Sequence, residues 1–165
     1  MKIAPNEAQP ATVSRLGGTK QAEDTGPRRW DFVERSVWTE RMLTTLERGA
    51  KGGVWFSLID KVYRPTTLEA AWLKVRANKG AAGSDHQSIA AFESTCTTNL
   101  ALLGEEIQTD RYCPRPIRRT YIDKPGSKEK RPLGIPTVRH RVIQTAVCMV
   151  IEPIFETDFV EHSYG

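Results

Sequence analysis

Long apolar runs are absent from this sequence. No segment approaches the roughly 18 consecutive apolar residues of a membrane-spanning helix, and the N-terminus lacks the charged stretch followed by roughly 7 to 15 apolar residues that marks a secretory signal. Cysteine is scarce as well. Cys96, Cys113 and Cys148 are odd in number and show no CxxC or Cys/His spacing, so neither a disulfide framework nor a zinc site is indicated. These absences lead to the expectation of a soluble, cytoplasmic chain in a reducing compartment, with no membrane partner.

Acid is what one region lacks. Over all 165 residues, 24 Lys and Arg stand against 20 Asp and Glu, a formal net charge of +4 and only a mild bias toward polyanions. Between Arg111 and Arg141 the balance is different. Arg111, Arg115, Arg118, Arg119, Lys124, Lys128, Lys130, Arg131, Arg139 and Arg141 are met by two acids only, Asp123 and Glu129. Past this strip Glu152, Glu156, Asp158 and Glu161 reverse the sign. Their spacing across Pro153 reads as a helix end with a solvated flank rather than a metal-ligand set.

Residues 1–32 hold Pro5, Pro10, Gly17, Gly18, Gly26 and Pro27 among small polar residues and read as a disordered leader. Residues 33–110 read as helical. A helix capped by Ser36 would carry Trp38, Met42, Leu43 and Leu46 on one face and stop at Gly49. Val54–Tyr63 is a short apolar run compatible with a helix or a buried strand. Thr66 with Glu69 has capping-box spacing ahead of Leu68, Trp72 and Val75, and that helix would end at Asn78-Lys79-Gly80. Ile89, Phe92, Cys96, Leu100, Leu103 and Ile107 recur at steps of three or four, which predicts one long helix from Ser88 to Thr109. The periodic placement of Trp38, Trp55, Phe56, Trp72 and Phe92 assigns them to core packing, whereas Tyr121 lies on the basic strip.

The period then changes. Pro114, Pro116, Pro125, Pro132 and Pro136 exclude a helix, and the segments between them predict a β-hairpin of Ile117–Lys124 and Lys130–Ile135 around a Pro125-Gly126-Ser127 turn. Pro132 donates nothing to a ladder, which places its strand at an edge. Arg131, Leu133 and Ile135 would share a face. Thr137 would cap a last helix with Val142, Ile143, Ala146, Val147, Val150 and Ile151 on its buried face, interrupted at Pro153. The fold class is therefore α+β, mainly helical with a basic two-stranded β-hairpin.

A hairpin that brings Lys124 and Arg131 together offers an ammonium and a planar guanidinium to one phosphate group, which suits a triphosphate. Arg118, Arg119, Arg139 and Arg141 extend the strip at both ends, a shape able to follow a nucleic-acid backbone. A solvated edge hairpin kept soluble by lysine has the same composition, and charge alone does not separate the two.

The blocks "NKGAAGSD" (78–85), "PIRRTYIDKPGSKEKRPLGIPTVRHRVIQ" (116–144), "EPIFETDF" (152–159) and "SYG" (163–165) resemble the opening blocks of bacterial group II intron reverse transcriptases, also called intron-encoded maturases. The ordered set "RPLGIPTV", "RVIQ", "EPIFE" carries most of the specificity. The resemblance implies a right-hand polymerase fold, with 33–110 as the N-terminal extension and 111–165 as part of the fingers. It also implies RNA-directed DNA synthesis using magnesium and dNTPs, with intron and template RNA as partners and DNA a further candidate. By the same resemblance Lys124 and Arg131 contact the nucleotide triphosphate. Leu133, Gly134, Ile135 and Pro136 lie against the template, and so does the loop containing Gly80, Gly83 and Asp85.

Two positions depart from the family pattern. His140 stands where aspartate is usual, and His86 where glycine follows the aspartate of the extension block; neither histidine has a recognisable partner in the sequence. The metal-binding aspartates and the Tyr-x-Asp-Asp element of the palm have no match here. The expectation is thus an N-terminal part of the enzyme with no catalytic or metal-ligating residue of its own and no polymerisation by these residues alone. A stand-alone intron RNA-binding module and a non-functional remnant remain as alternatives.

Overall fold

The structure is a computed structural model that describes residues 29–48, 58–126 and 128–157. Gly49, Trp55, Phe56, Ser127, Asp158, the 163–165 block and nearly all of the 1–32 segment lie outside the described residues. Among the described residues, six helices and a two-stranded antiparallel sheet follow in the order α1 (Glu40–Glu47), α2 (Ile59–Val62), α3 (Pro65–Asn78), α4 (Ile89–Glu93), α5 (Cys96–Gln108), β1 (Arg118–Asp123), β2 (Lys130–Ile135) and α6 (Val138–Glu156). The α+β class holds. None of these helices is long and apolar enough to cross a membrane.

Helix α3 forms where periodicity places it, and its apolar stripe of Leu68, Ala71, Trp72 and Val75 is buried. Its start differs from expectation. Arg64 is the N-cap and Pro65 the first helical residue, with no side-chain cap bond. Proline there needs no N–H partner and has a fixed φ suited to a helix start, so the Thr66–Glu69 box is not used. The first helix likewise begins at Glu40 after Thr39. Ser36 instead turns its hydroxyl to Glu34 Oε1 at 3.1 Å. The 54–63 run, where described, is the short helix α2.

The expected helix from Ser88 to Thr109 is two. Ser88 caps α4 through a bond from Ala91 N, and the chain breaks at Thr95 (φ −127°, ψ 28°) before α5. Asn99 Nδ2 donates to the Phe92 carbonyl at 3.2 Å and to Thr95 Oγ1 at 2.9 Å, filling the gap in the helical ladder. Phe92 still reaches the core, its ring centroid 4.7 Å from that of Trp72.

Helix α6 lies along α3 and carries the other half of the core: Val138, Val142, Ala146, Met149, Val150 and Pro153 are buried. Thr137 caps it as expected, its hydroxyl accepting from His140 N. Pro153 does not interrupt it; the helix runs on to Glu156. Proline lacks the N–H that would bond the carbonyl four residues earlier. That carbonyl, Met149 O, accepts instead from the indole Nε1 of Trp38 at 3.2 Å. Trp38, Leu43, Leu68, Phe92 and Leu103 are at most 1% exposed and close the core around α3 and α6; each such side chain contributes about 1.5–3 kcal/mol through burial.

Candidate nucleic-acid interface

The hairpin pairs Arg118 with Ile135, Thr120 with Leu133, Ile122 with Arg131 and Asp123 with Lys130. Lys124 N donates to Glu129 O at 3.0 Å, carrying the ladder one step past β1. Side chains alternate between the faces of a sheet, so Arg118, Thr120, Ile122, Lys124, Arg131, Leu133 and Ile135 share one face. Ile117, Arg119, Tyr121, Asp123, Lys130 and Pro132 share the other. The half-buried and exposed residues of β1 alternate in the same order. Lys124 and Arg131 thus stand diagonally across one face near the turn.

Both are open to solvent. Lys124 Nζ lies 3.5 Å from Glu129 Oε2, a pair with side chains 58% and 76% exposed. Such a pair holds its partners weakly. Arg115, Arg118, Arg119, Lys128, Lys130 and Arg131 form no ion pair among the described residues. Arg111 is matched with Glu105 at 2.6 Å.

At the root of the hairpin the Gly80–Asp85 loop is fitted against the start of α6. A Cβ on Gly83 would come within 2.6 Å of both Thr137 Cα and Thr137 N, so only glycine permits this approach. Ser84 Oγ donates to Pro116 O at 2.5 Å, tying the loop to the entry of β1. Gly80 has φ +107°. Arg141 completes the seat: Nη1 donates to Lys79 O at 3.1 Å and Nη2 to Ala81 O at 2.9 Å. Burial pushes the Arg141 pKa below its ordinary value, and the nearby Asp85 carboxylate works against that shift. Asp85 Oδ1 also accepts from Gln87 N at 3.2 Å, holding the turn in which His86 takes φ +56°. The position where the family has glycine is therefore one whose backbone favours glycine.

The structure brings Gly80, Gly83, Asp85, Pro136 and Arg141 together at the hairpin root. Lys124 and Arg131 stand at the tip, with Arg118, Leu133, Gly134 and Ile135 between. Arg119 lies on the opposite face. Arg139 and Arg141, expected to extend the cationic strip, have guanidiniums engaged within the protein, Arg139 Nη2 donating to Glu106 Oε2 at 2.5 Å.

His140, for which the sequence offered no partner, lies with Nδ1 2.9 Å from the Tyr112 hydroxyl. The two rings are stacked 10° from parallel. Burial raises the Tyr112 pKa above that of an ordinary phenol, and Arg139 opposes the rise. Sequence reasoning also passed over an open cleft of about 330 Å³ lined by Asp85, Gln87, Asn99, Leu102, Arg115 and Arg139. Membership of the basic strip was the one signal for Arg115. Gln87 and Asn99 gave none.

No protein-family model matches the sequence. It is 37% identical over 110 residues to protein YkfC of Escherichia coli (strain K12), covering 66% of this chain and 29% of that protein. It is 33% identical over 112 residues to the group II intron-encoded protein LtrA of Lactococcus lactis subsp. cremoris, covering 68% of this chain and 18% of LtrA, and equally to LtrA of strain MG1363. The chain spans less than a third of the length of these curated relatives. The similarity takes in about two thirds of the chain, and over that part it bears out the resemblance to group II intron-encoded reverse transcriptases that the motif blocks carry.

Proposed function

We propose that these residues form the RNA-gripping, nucleotide-phosphate-contacting part of a group II intron reverse transcriptase, with 33–110 as its N-terminal extension and 111–165 as part of its fingers. One observation carries the reading: the hairpin register sets Lys124 and Arg131 on one solvent-open face, and the root of the same hairpin is seated on the Gly80–Asp85 loop. Lys124 supplies an ammonium and Arg131 a planar fork to the phosphates of an incoming nucleotide. Leu133, Gly134, Ile135 and Pro136 lie against the template, beside the Gly80, Gly83 and Asp85 loop. Arg118 adds a cation on the same face. Arg119 adds one on the other.

Magnesium, which the family reading implies, does not fit these residues: among the described ones no three His, Cys, Asp or Glu side chains come together to hold a metal ion. No step through a metal is assigned to them. The surface serves RNA binding with or without synthesis, and a polypeptide of these 165 residues is expected to show no primer extension on an RNA template.

Filter binding of that polypeptide to structured RNA across a salt series tests the reading. A backbone grip by several cations gives a steep linear fall of log affinity with log salt concentration, and a flat dependence would reject it.

A further inference from the structure

The face of the hairpin turned away from Lys124 and Arg131 is also open, and its chemistry is different. Tyr121 is 60% exposed and Ile117 56%. Pro132 lies directly across the ladder from Tyr121, so the phenol ring rises beside a ring that presents no N–H. Arg119 stands two residues before Tyr121 on the same face, about 7 Å away along the strand, and Lys130 stands two residues before Pro132. Neither cation has a carboxylate partner among the described residues. Asp123, the one acid on this face, is opposite Lys130 at the turn end.

We propose that this outer face is a second nucleic-acid contact, on which Tyr121 stacks one base of a single-stranded polynucleotide while Arg119 and Lys130 hold the flanking phosphates. The proposal rests on the reading above and extends it to the opposite face of the same hairpin. The occupant follows from complementarity. A protein partner needs a broad apolar patch, and here the apolar side chains are few, Tyr121 with Pro132 and Ile117, and two cations flank the ring in the most basic stretch of the chain. Exposed aromatics interleaved with cations on a strand surface suit bases and phosphates in alternation. The ring of Tyr121 already faces solvent, so it needs no rearrangement to receive a base.

Fluorescence anisotropy with the 165-residue chain tests this, using labelled single strands of about twelve nucleotides as RNA, as DNA, and as an abasic backbone of equal length. Tyr121→Ala and Tyr121→Leu are each expected to weaken binding of both base-bearing strands about tenfold while leaving the abasic strand within about twofold, and Tyr121→Trp to retain full binding. Arg119→Ala and Lys130→Ala are expected to weaken all three strands alike. Equal losses on base-bearing and abasic strands in the Tyr121 variants, a loss confined to RNA or to DNA, or no loss would each overturn the stacking role. If wild-type chain binds with a steep salt slope and Tyr121→Ala changes nothing, this inference fails alone. If wild-type chain binds no strand, it falls together with the reading it rests on.

Discussion

The indole Nε1 of Trp38 donates to the Met149 carbonyl 111 residues away, the carbonyl that Pro153 leaves without a helical donor. A proline inside α6 is thereby matched by a side chain from outside the helix, and the two residues form a coupled pair. Trp38→Phe is expected to cost about 2–4 kcal/mol, from a lost buried hydrogen bond and a smaller ring. With Pro153→Ala also present, the residue-153 N–H takes over the carbonyl, and the cost of Trp38→Phe should fall by about 1 kcal/mol. Urea denaturation of both single variants and the double variant measures the coupling; strictly additive costs would break the link.

His86 occupies the left-handed region with an exposed side chain. His86→Gly is expected to leave stability unchanged or raise it by about 0.5 kcal/mol, since relief of backbone strain is partly offset by unfolded-state entropy. His86→Val places a β-branched residue at positive φ and should cost about 1–2 kcal/mol. Thermal midpoints of the two variants, compared with wild type, check the order.

Arg141 is a positioning residue in this geometry, holding two loop carbonyls with one planar fork. Arg141→Lys cannot reproduce both bonds and Arg141→Met makes neither, and both should weaken RNA binding while leaving its salt slope intact. A phosphate-contacting Arg141 would behave otherwise, its removal lowering the slope by about one unit. Hydrogen exchange of the Gly80–Asp85 amides gives a second readout, with faster exchange expected in Arg141→Lys.

Lys124 and Arg131 are expected to act together on a triphosphate. Lys124→Ala and Arg131→Ala should each weaken nucleotide binding about tenfold or more, and Arg131→Lys should recover only part of the loss. Titration with a fluorescent dNTP reads the effect. Unchanged affinity in the double variant would remove the hairpin tip from the nucleotide site.

The raised pKa of Tyr112 means that the folded chain holds this phenol proton more tightly than the unfolded chain does. The associated stability is fully present below the unfolded phenol pKa of about 10 and is lost as pH rises through the higher folded value. Wild type should therefore lose stability more steeply above about pH 10 than Tyr112→Phe, in which that titration is absent. Denaturation midpoints of the two proteins between pH 8 and about 12 test the difference, since all other groups are common to both.

What the sequence disclosed was local. Helix α3 was legible because its apolar residues lie on one stripe, and the hairpin because prolines and a Pro-Gly turn leave few other conformations. The break at Thr95 was hidden, since Ile89, Phe92, Cys96 and Leu103 keep helical spacing across it and the bonds that fill it come from the Asn99 side chain. The passage of α6 through Pro153 was hidden for a related reason: its compensating donor is Trp38, far away in the chain. Arg139 and Arg141 read as solvent-facing cations because Glu106 and the Lys79 and Ala81 carbonyls are brought to them only by folding. For His140, Tyr112 lies 28 residues earlier and is not readable as its partner from spacing.

The two-stranded hairpin has a further consequence. Among the described residues no third strand backs it, and Ser84 at Pro116 and Gly83 at Thr137 tie its two ends to the glycine loop. It is a cantilever: a load at Lys124 or Arg131 is delivered to the clamp at its base rather than shared among the helices. Whatever pulls on the tip is felt at the glycine loop.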